Sequence, residues 1–297
     1  MVSARRGDGR LTVAWVILTM GNRPEALAEA VGSVRRHCSD RSALLVVSNG
    51  GPREIDGVAP AEVLAVPDNL GIPGGRDLAL RHLDADVVCF LDDDAHVTAG
   101  AEAAALALFE RDPSIAVVAM RLIDECGTTA RRHVPRVGAG SSDRGGAVAT
   151  FLGGACAIRR TAYLEVGGYW SELRYGHEEL DLAWRLIDAG YRVIFEPRAE
   201  VVHPRTEISR HAEGWRLTGR NRVWVARRNL PWPVAVVHVT AWLLIGTWRA
   251  PAGTCRRSYL AGWWSGWRSR WLPPVTRRAM RWRTVWHLGM FGRLPVV

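Results

Sequence analysis

Five apolar residues lead directly into three carboxylates in the segment Val87-Val88-Cys89-Phe90-Leu91-Asp92-Asp93-Asp94. A continuous apolar run is typical of a strand that is covered on both faces. Because side chains alternate along an extended segment, Asp92 and Asp94 are predicted on one side and Asp93 on the other. Paired carboxylates repel unless a cation lies between them, and such oxygen ligands suit Mg²⁺ or Mn²⁺. The segment therefore predicts a metal site at a strand end, where α/β sheets bind ligands; a solvated acidic turn is the alternative.

The residues around this segment alternate between strand-like and helix-like patterns. The chain has 297 residues, of which 48% are hydrophobic, and this composition excludes a disordered protein. Alternating strands and helices predict a largely parallel sheet with helices on its faces. The predicted strands are Val13–Thr19, Ala43–Ser48, Val63–Val66, Val87–Leu91 and Ile115–Met120, and the predicted helices are Arg23–His37, Gly74–Leu83 and Ala99–Glu110.

Charge and tryptophan are distributed unevenly along the chain. All 39 basic residues are arginine. From Arg205 onward the chain has 17 arginines and only two acidic residues, Glu207 and Glu213, which gives a net charge of +15. The first 204 residues have a net charge of −6. That same rear part holds 11 of the 14 tryptophans. We therefore divide the chain into residues 1–10, a polar N-terminus expected to be flexible, an α/β domain at 11–210, and a helical region at 211–297.

The helical region contains two features that bear on membranes. The uncharged segment Asn229–Trp248 is borderline for a span of roughly 20 residues. Its strongly apolar part, Val234–Ile245, better suits an interfacial, re-entrant or buried helix. Farther on, aromatic and apolar side chains recur at helical spacing beside arginines, which favours an anionic membrane surface; an aromatic stripe packed into a second small core is the alternative. These residues are Leu260, Trp263, Trp264, Trp267 and Trp271, with Arg256, Arg257, Arg268 and Arg270.

The compartment is inferred from cysteine and leader patterns. The five cysteines show no paired spacing, so we expect reduced thiols in a cytosolic setting. The N-terminal residues do not form a signal sequence. A nucleic-acid surface would also be basic, but no DNA- or RNA-binding motif is present, and we expect no nucleic-acid partner.

A glycine-rich segment, Asn69-Leu70-Gly71-Ile72-Pro73-Gly74-Gly75-Arg76-Asp77, precedes the carboxylates. Glycines let a backbone approach a ligand closely, and amides at a helix N-terminus favour phosphate. Arg76 would then contact a diphosphate or a base. A plain loop is an equally good interpretation of this segment alone.

Two more candidates follow later in the chain. Glu178 and Glu179 fall at the beginning of a predicted helix, where a carboxylate can accept a proton from an incoming hydroxyl. Asp181 can form an ion pair with Arg185 four residues on, which is its better interpretation. His203 ends an apolar strand and is either an ordinary histidine or a nitrogen ligand to the same metal.

In this order the motifs resemble the family 2 glycosyltransferases, which have the GT-A fold, a Rossmann-like and mainly parallel sheet flanked by helices. The resemblance runs from Val13 to about His203 and is strongest to the rhamnosyl- and galactofuranosyl-transferase branch. The motifs that carry it are Val16-Ile17-Leu18-Thr19 with Asn22-Arg23-Pro24, Asn69-x-Gly71 with Gly74-Gly75-Arg76, Leu91-Asp92-Asp93-Asp94, Gly153-Gly154-Ala155 ahead of Arg159-Arg160, Gly167-Gly168-Tyr169, Glu178-Glu179-x-Asp181-Leu182, and Val202-His203.

The resemblance implies a role for each matching residue. Glu179 would be the general base, with Glu178 as the runner-up. The metal, Mg²⁺ or Mn²⁺, would be held by Asp94, Asp92 and His203. The donor side would comprise Thr19, Arg23, Ser48, Asn69, Gly71, Gly75, Arg76, Asp92 and Asp93, and the acceptor side Gly153, Gly154, Trp170 and Asp181.

Two positions depart from the family pattern. Ser48, followed by Asn49, stands where members commonly have aspartate at the end of the second strand, and Asp77 closes the glycine-rich segment in place of asparagine. These departures leave the nucleotide base open between UDP-, dTDP- and GDP-sugars.

The implied function is an inverting, metal-dependent transfer of a hexosyl or deoxyhexosyl group from a nucleotide-diphosphate sugar. The acceptor would be a hydroxyl of a cell-envelope, lipid-linked or secondary-metabolite molecule, and the protein would lie in the cytoplasm on the inner face of the cell membrane. One alternative is a catalytically silent, membrane-associated protein of the same fold. A sugar nucleotidyltransferase is less favoured, because the segment Met20-Gly21-Asn22-Arg23-Pro24 is too poor in glycine for its phosphate loop.

Overall fold

The computed structural model describes residues 11–59, 61–130, 133–134, 142–205, 213–269 and 276–290. The predicted N-terminus 1–10, the boundary near 210, Arg270 and Trp271 lie outside the described residues. One mixed sheet forms the centre, and its strands are β1 (Val13–Thr19), β2 (Ala43–Asn49), β3 (Glu62–Val66), β4 (Val87–Asp92), β5 (His96–Val97), β6 (Ile115–Ile123), β7 (Gly146–Ala147), β8 (Ala155–Arg159) and β9 (Arg192–Val202).

The strand order is β3-β2-β1-β4-β8-β6-β9-β5, with β7 paired to β9. The first four strands are parallel, as the alternating pattern predicts, and their carboxyl ends share one edge. Strand β8 enters antiparallel between β4 and β6, which the sequence pattern did not predict. Its insertion places the residues just before β8 beside the end of β4.

Helices cover both faces of the sheet. They are α1 (Pro24–His37), α2 (Gly71–His82), α3 (Ala101–Arg111), α4 (Arg160–Glu165), α5 (Glu178–Ala189), α6 (Gly214–Asn229), α7 (Trp232–Arg249), α8 (Thr254–Arg268) and α9 (Trp282–Met290). Helices α1 and α3 bury apolar side chains against one face. Helices α2, α4 and α5 do so against the other, and the C-terminal helices extend that second core. The α/β fold with a C-terminal helical extension is therefore confirmed.

The start of α2 differs from the prediction. The helix begins at Gly71 rather than Gly74, so most of the glycine-rich segment forms its first turns instead of a preceding loop. Gly71 has a φ of +76°, a conformation that glycine adopts without strain. Pro73 is tolerated because the amide that it lacks would be unpaired in a first turn anyway.

The C-terminal helices form a packed unit on the second core. Glycines bring α6 and α8 into close contact: a Cβ on Gly262 would lie 1.9 Å from the Arg216 carbonyl oxygen, and one on Gly219 2.3 Å from that of Tyr259. Val223, Val239 and residues of α9 join the core of the sheet domain. In the part of the chain that the structure describes, no helix is both long and apolar enough to span a bilayer.

The arginines and tryptophans of this region divide into two groups. Trp263 and Trp267 are half-buried and pack on the core, whereas Leu260 and Trp264 are exposed. Several arginine–tryptophan pairs are internal, with guanidinium carbons 4 to 6 Å from ring centroids, a range in which cation–π attraction stabilises folded proteins. Examples are Arg220 over Trp224 at 4.3 Å and Arg228 over Trp170 at 4.9 Å. The aromatic stripe is thus partly a core and partly a surface.

Candidate active site

Three predicted metal ligands converge where strands end. Strand β4 ends at Asp92, the following turn carries Asp94, and His203 directly follows β9. One possible ligand atom from each of the three lies within 4.8 Å of the others. The His203 Nε2 atom is 3.3 Å from Asp94 Oδ1 and 3.7 Å from Asp92 Oδ2. These residues are brought together as the sequence predicted.

The charges of this cluster favour a divalent cation. Burial opposes the charge on each group, but hydrogen bonds and mutual attraction outweigh it, lowering the pKa of Asp94 to about 2 and raising the pKa of His203 to about 10. Two carboxylates and one imidazole are ligands that Mn²⁺ and Mg²⁺ accept. Without the metal, the His203 imidazole is protonated and offsets the carboxylates; a cation would take over that task by displacing the proton.

Asp93 is turned away from this cluster. Its carboxylate accepts a hydrogen bond from Thr19 Oγ1 at 2.6 Å and forms an ion pair with Arg23. The other guanidinium nitrogen of Arg23 pairs with Asp94. Arg23 precedes α1 and therefore ties the end of β1 to the carboxylates that follow β4. The predicted donor residues Thr19, Arg23 and Asp93 form one connected group.

Arg76 connects the metal cluster to the proposed base. Its guanidinium is only 4% exposed and donates from Nη2 to Asp92 Oδ1 at 3.3 Å and from Nη1 to Glu179 Oε1 at 3.1 Å. The glycine pair before β8 makes room for this arrangement. A Cβ on Gly153 would lie 1.8 Å from Arg76 Nη1, and one on Gly154 would lie 1.9 Å from Asp92 Oδ2. Any larger side chain at either position would displace a charged group.

The two glutamates at the start of α5 have different surroundings. Glu178 is 2% exposed, and its Oε2 atom has no hydrogen-bond partner among the residues that the structure describes. Burial and the adjacent negative charge of Glu179 raise the pKa of Glu178 to about 8, so it holds a proton at neutral pH. The Glu179 carboxylate is 19% exposed and faces Arg76. This difference favours Glu179 over Glu178 as a proton acceptor.

The residues that lead into α2 are held by hydrogen bonds to a side chain at the end of β2. Asn49 accepts a hydrogen bond from the Leu70 amide at 2.9 Å and donates to the Gly71 carbonyl at 3.1 Å. Asn69 accepts from the Gly71 amide at 2.8 Å. Ser48 is fully buried, and its hydroxyl donates to the Pro52 carbonyl at 2.6 Å. Ser48 thus stabilises the turn that follows β2, and Asn49 positions the residues at the start of α2.

Glycine-rich residues of α2 also need close approaches. A Cβ on Gly75 would lie 2.5 Å from a Leu18 methyl group, and one on Gly71 would lie 2.6 Å from the Arg174 carbonyl oxygen. That same Arg174 carbonyl accepts a hydrogen bond from the Ile72 amide at 2.8 Å. The start of α2 therefore contacts the loop that leads into α5.

Two predicted acceptor-side residues lie inside the protein. Asp181 is 0% exposed and accepts hydrogen bonds from Arg185, Arg228 and Asn229 at 2.6 to 3.1 Å. Trp170 is 2% exposed and stacks on Trp224, with ring centroids 5.3 Å apart. Asp181 thus links α5 to α6, and Trp170 links the segment before α5 to α6. The acceptor-side role of both residues stays a prediction.

Other residues were not singled out as site residues by the sequence pattern. Asp77, one of the two departures from the family pattern, accepts a 2.6 Å hydrogen bond from the Tyr163 hydroxyl and forms an ion pair with Arg81. Its contacts therefore stabilise the fold. Asn49 had a local signal, its place at a strand end. Asn221 and Arg228 had none, because their partners lie 45 to 48 residues away in the chain.

Comparisons with known proteins agree with this geometry. Pre-mycofactocin glycosyltransferase of Mycobacterium tuberculosis, in strains CDC 1551 / Oshkosh and H37Rv, is 31% identical over 231 residues, or 72% of this chain and 44% of that protein. The chain thus spans less than half the length of these curated relatives.

Solved structures share the fold. The crystal structure of GalNAc-T7 with UDP, GalNAc and Mn²⁺ has 16% identity and a TM-score of 0.63, covering 86% of this chain and 54% of that one. Mannosyltransferase PcManGT from Pyrobaculum calidifontis, in complex with GDP-Man and Mn²⁺, has 20% identity and a TM-score of 0.57, covering 89% of this chain and 77% of that one. The pattern of the family described as "Glycosyl transferase family 2" matches residues 15–167, just over half of the sequence. The chain therefore belongs to glycosyl transferase family 2.

Proposed function

We propose that the protein is a metal-dependent, inverting glycosyltransferase that moves a sugar from a nucleotide-diphosphate donor to a hydroxyl. One observation carries the proposal: the buried Arg76 joins the cluster of Asp92, Asp94 and His203 to the carboxylate of Glu179. A cation site, a fixed positive charge and a proton acceptor lie side by side. If the cation site and the proton acceptor did not act together, the burial of an arginine between them would have no simple explanation.

Asp92, Asp94 and His203 would hold Mn²⁺ or Mg²⁺, which when bound offsets negative charge on the leaving diphosphate. Arg76 adds a second, fixed positive charge beside the leaving diphosphate. The acceptor oxygen forms its bond to the anomeric carbon as the bond to the diphosphate breaks, and Glu179 takes the hydroxyl proton. Attack from the face opposite the leaving group inverts the anomeric configuration.

The donor and acceptor classes come from the family. Two structural neighbours are complexes, one with UDP, GalNAc and Mn²⁺ and the other with GDP-Man and Mn²⁺. For this chain we propose a UDP-, dTDP- or GDP-linked hexose or deoxyhexose. The acceptor would be a glycan, lipid-linked or secondary-metabolite hydroxyl, in keeping with the rhamnosyl- and galactofuranosyl-transferase resemblance.

The experiment is a donor screen by thermal stability. The full chain with Mn²⁺ or Mg²⁺ is melted with a panel of UDP-, dTDP- and GDP-sugars. Release of nucleoside diphosphate is followed for each donor with water as the acceptor, so that the sugar leaves free and Glu179 takes the proton of the attacking water. We expect metal-dependent stabilisation by one donor class, lost in Asp94→Ala. Glu179→Gln should keep that stabilisation and lose donor turnover by at least about 100-fold, since a base contributes roughly 10²–10⁴-fold. Wild-type turnover in folded Glu179→Gln would refute the role of Glu179.

We also propose that the C-terminal helices bind the anionic inner face of the cell membrane. Support comes from an exposed apolar face on α7 and α8. Leu244 is 68% exposed and Trp248 81%, and both border one groove with Leu260. Arginines flank this face at Arg256, Arg257 and Arg268. Exposed tryptophan beside arginine suits a headgroup layer.

Vesicle cosedimentation tests this surface. We expect the full chain to sediment with phosphatidylglycerol vesicles and not with phosphatidylcholine vesicles at moderate salt. The double variant Trp248→Ser/Trp264→Ser should remain in the supernatant, whereas Leu164→Ser, which changes an exposed apolar residue of α4, should sediment normally. If the double variant sediments as fully as the unchanged chain, this face is excluded as the membrane-binding surface. Binding to nucleic acid and not to vesicles would favour a nucleic-acid partner instead.

A further inference from the structure

The loop that leads into α5 has an unusual backbone. Among the described residues, Arg174 with a φ of +59° and His177 with a φ of +74° are the non-glycine residues with positive φ. Such conformations are strained for residues with a side chain and persist only where the surroundings enforce them. Both lie within five residues of Glu179, the proposed proton acceptor. Something must therefore hold this loop in place.

Asn221 of α6 supplies that restraint. Its side chain is 0% exposed, and its Nδ2 group lies 2.9 Å from the Leu173 carbonyl oxygen, 2.9 Å from that of Tyr175 and 2.8 Å from that of Gly176. A single amide of α6 thus contacts three carbonyl oxygens within four residues of the loop. The Asn221 donor is fully engaged, and two of its partners, Tyr175 and Gly176, lie outside the helices and strands.

A second residue of α6 contacts the same loop from its outer side. The Arg220 guanidinium donates to the Glu172 carbonyl at 2.8 Å and to the Leu173 carbonyl at 3.1 Å. On the inner side, the Arg174 carbonyl accepts from the Ile72 amide of α2. The loop is therefore held between the donor-side helix α2 and the C-terminal helix α6.

Resting on the proposed function, we propose that Asn221 is a positioning residue for catalysis, because it fixes the loop that aims Glu179 at the acceptor hydroxyl. On this account Asn221 of α6 positions the loop before α5, so the C-terminal helices have a role besides offering a surface to a membrane. Asn221 touches no substrate and acts through the backbone of residues 173–176. Misplacement of a reacting group by about 1 Å can cost on the order of 100-fold in rate.

The test combines hydrogen exchange with kinetics on the full chain. In Asn221→Ser we expect backbone amides of 174–179 to exchange at least about tenfold faster, while those of β4 stay within twofold. Turnover of a nucleotide sugar from the same panel, followed as nucleoside diphosphate release, should fall about 10- to 100-fold in kcat with the donor KM within threefold. A general loss of structure would change the donor KM together with kcat and would also speed amide exchange in β4.

The matched control is Arg227→Met, also on α6. Arg227 donates to carbonyls of Gly266, Trp267 and Ser269, so this variant loosens α6 from α8 without touching the loop. It should leave both the exchange of 174–179 and kcat within about twofold. Equal effects of Arg227→Met and Asn221→Ser would overturn the proposal, because the restraint would then be general packing.

Other outcomes are equally decisive. Wild-type exchange or wild-type kcat in folded Asn221→Ser overturns the positioning role. If Asn221→Ser does not fold, Arg220→Met removes the two outer hydrogen bonds and should shift exchange and kcat in the same direction, by at least about threefold; no shift overturns the proposal. Failure of the proposed function looks different: the wild type would then turn over no nucleotide sugar of the panel, while exchange would still report whether Asn221 holds the loop.

Discussion

Replacing Asp181 with alanine removes a buried anion that three side chains surround. Asp181 is 0% exposed, and its partners Arg185 and Arg228 are 10% and 15% exposed. Burial raises the pKa of this carboxyl, but the two arginines and Asn229 outweigh burial and lower it. The carboxylate is therefore charged at neutral pH and couples α5 to α6.

The size of the effect follows from what is left behind. Removing one partner of a buried ion pair costs about 3–5 kcal/mol, because the remaining charge is uncompensated. Here two guanidinium groups and one amide lose their acceptor. Near the midpoint of unfolding, 1 kcal/mol corresponds to roughly 2–4 °C in a domain of this size class. We therefore expect Asp181→Ala to lower the Tm by about 6–20 °C.

The control is an exposed ion pair at the beginning of α6. Glu213 and Arg216 are 63% and 41% exposed and lie 2.8 Å apart, and exposed pairs contribute roughly 0–1 kcal/mol. Glu213→Ala should shift the Tm by less than about 4 °C. Calorimetry of both variants at pH 7 is the assay. A shift for Asp181→Ala no larger than that for Glu213→Ala would refute the anchoring role.

Three further predictions concern the site. Gly154→Ala should abolish stabilisation by Mn²⁺ with the fold retained, because its Cβ would lie 1.9 Å from Asp92 Oδ2. Gly32→Ala should keep that stabilisation, because the atoms nearest to its Cβ belong to the end of the Arg36 side chain. The raised pKa of Glu178, about 8 against 4.5, stabilises the fold fully below pH 4.5, and this contribution is lost as pH rises through 8. Thermal melts should therefore show Glu178→Gln gaining stability over the wild type between pH 6 and 9, and a constant difference would contradict burial of the proton. Removing divalent metal with EDTA should cancel stabilisation by nucleoside diphosphate, and unchanged melting would argue against joint binding.

Local patterns were sufficient for the strand, the carboxylates and the start of α5. The run ending at Asp92, the placement of Glu178 and Glu179 at a helix start, and the pairing of Asp181 with Arg185 depend on residues close in sequence. Their periodicity and spacing are therefore visible without a structure. The fold class and the carboxylate part of the metal cluster could be predicted on this basis, whereas the ligand role of His203 came from the family resemblance.

Features set by distant contacts could not be predicted. The insertion of β8 depends on pairing with both β4 and β6, and the triple contact of Asn221 joins residues up to 48 positions apart. The arginine–tryptophan region shows the same limit, because helical spacing alone does not tell which side of α8 faces α6. Trp263 and Trp264 are neighbours in sequence, yet only Trp264 is mainly exposed.

The central claim is that the cation site and Glu179 serve a single reaction through Arg76. Its most direct measurement is binding and turnover of the stabilising nucleotide sugar, with Mn²⁺, by the wild type, Asp94→Ala and Glu179→Gln side by side. We expect the wild type to bind and turn over the donor, Asp94→Ala to do neither, and Glu179→Gln to bind it without turnover. Normal turnover in either folded variant would contradict the account.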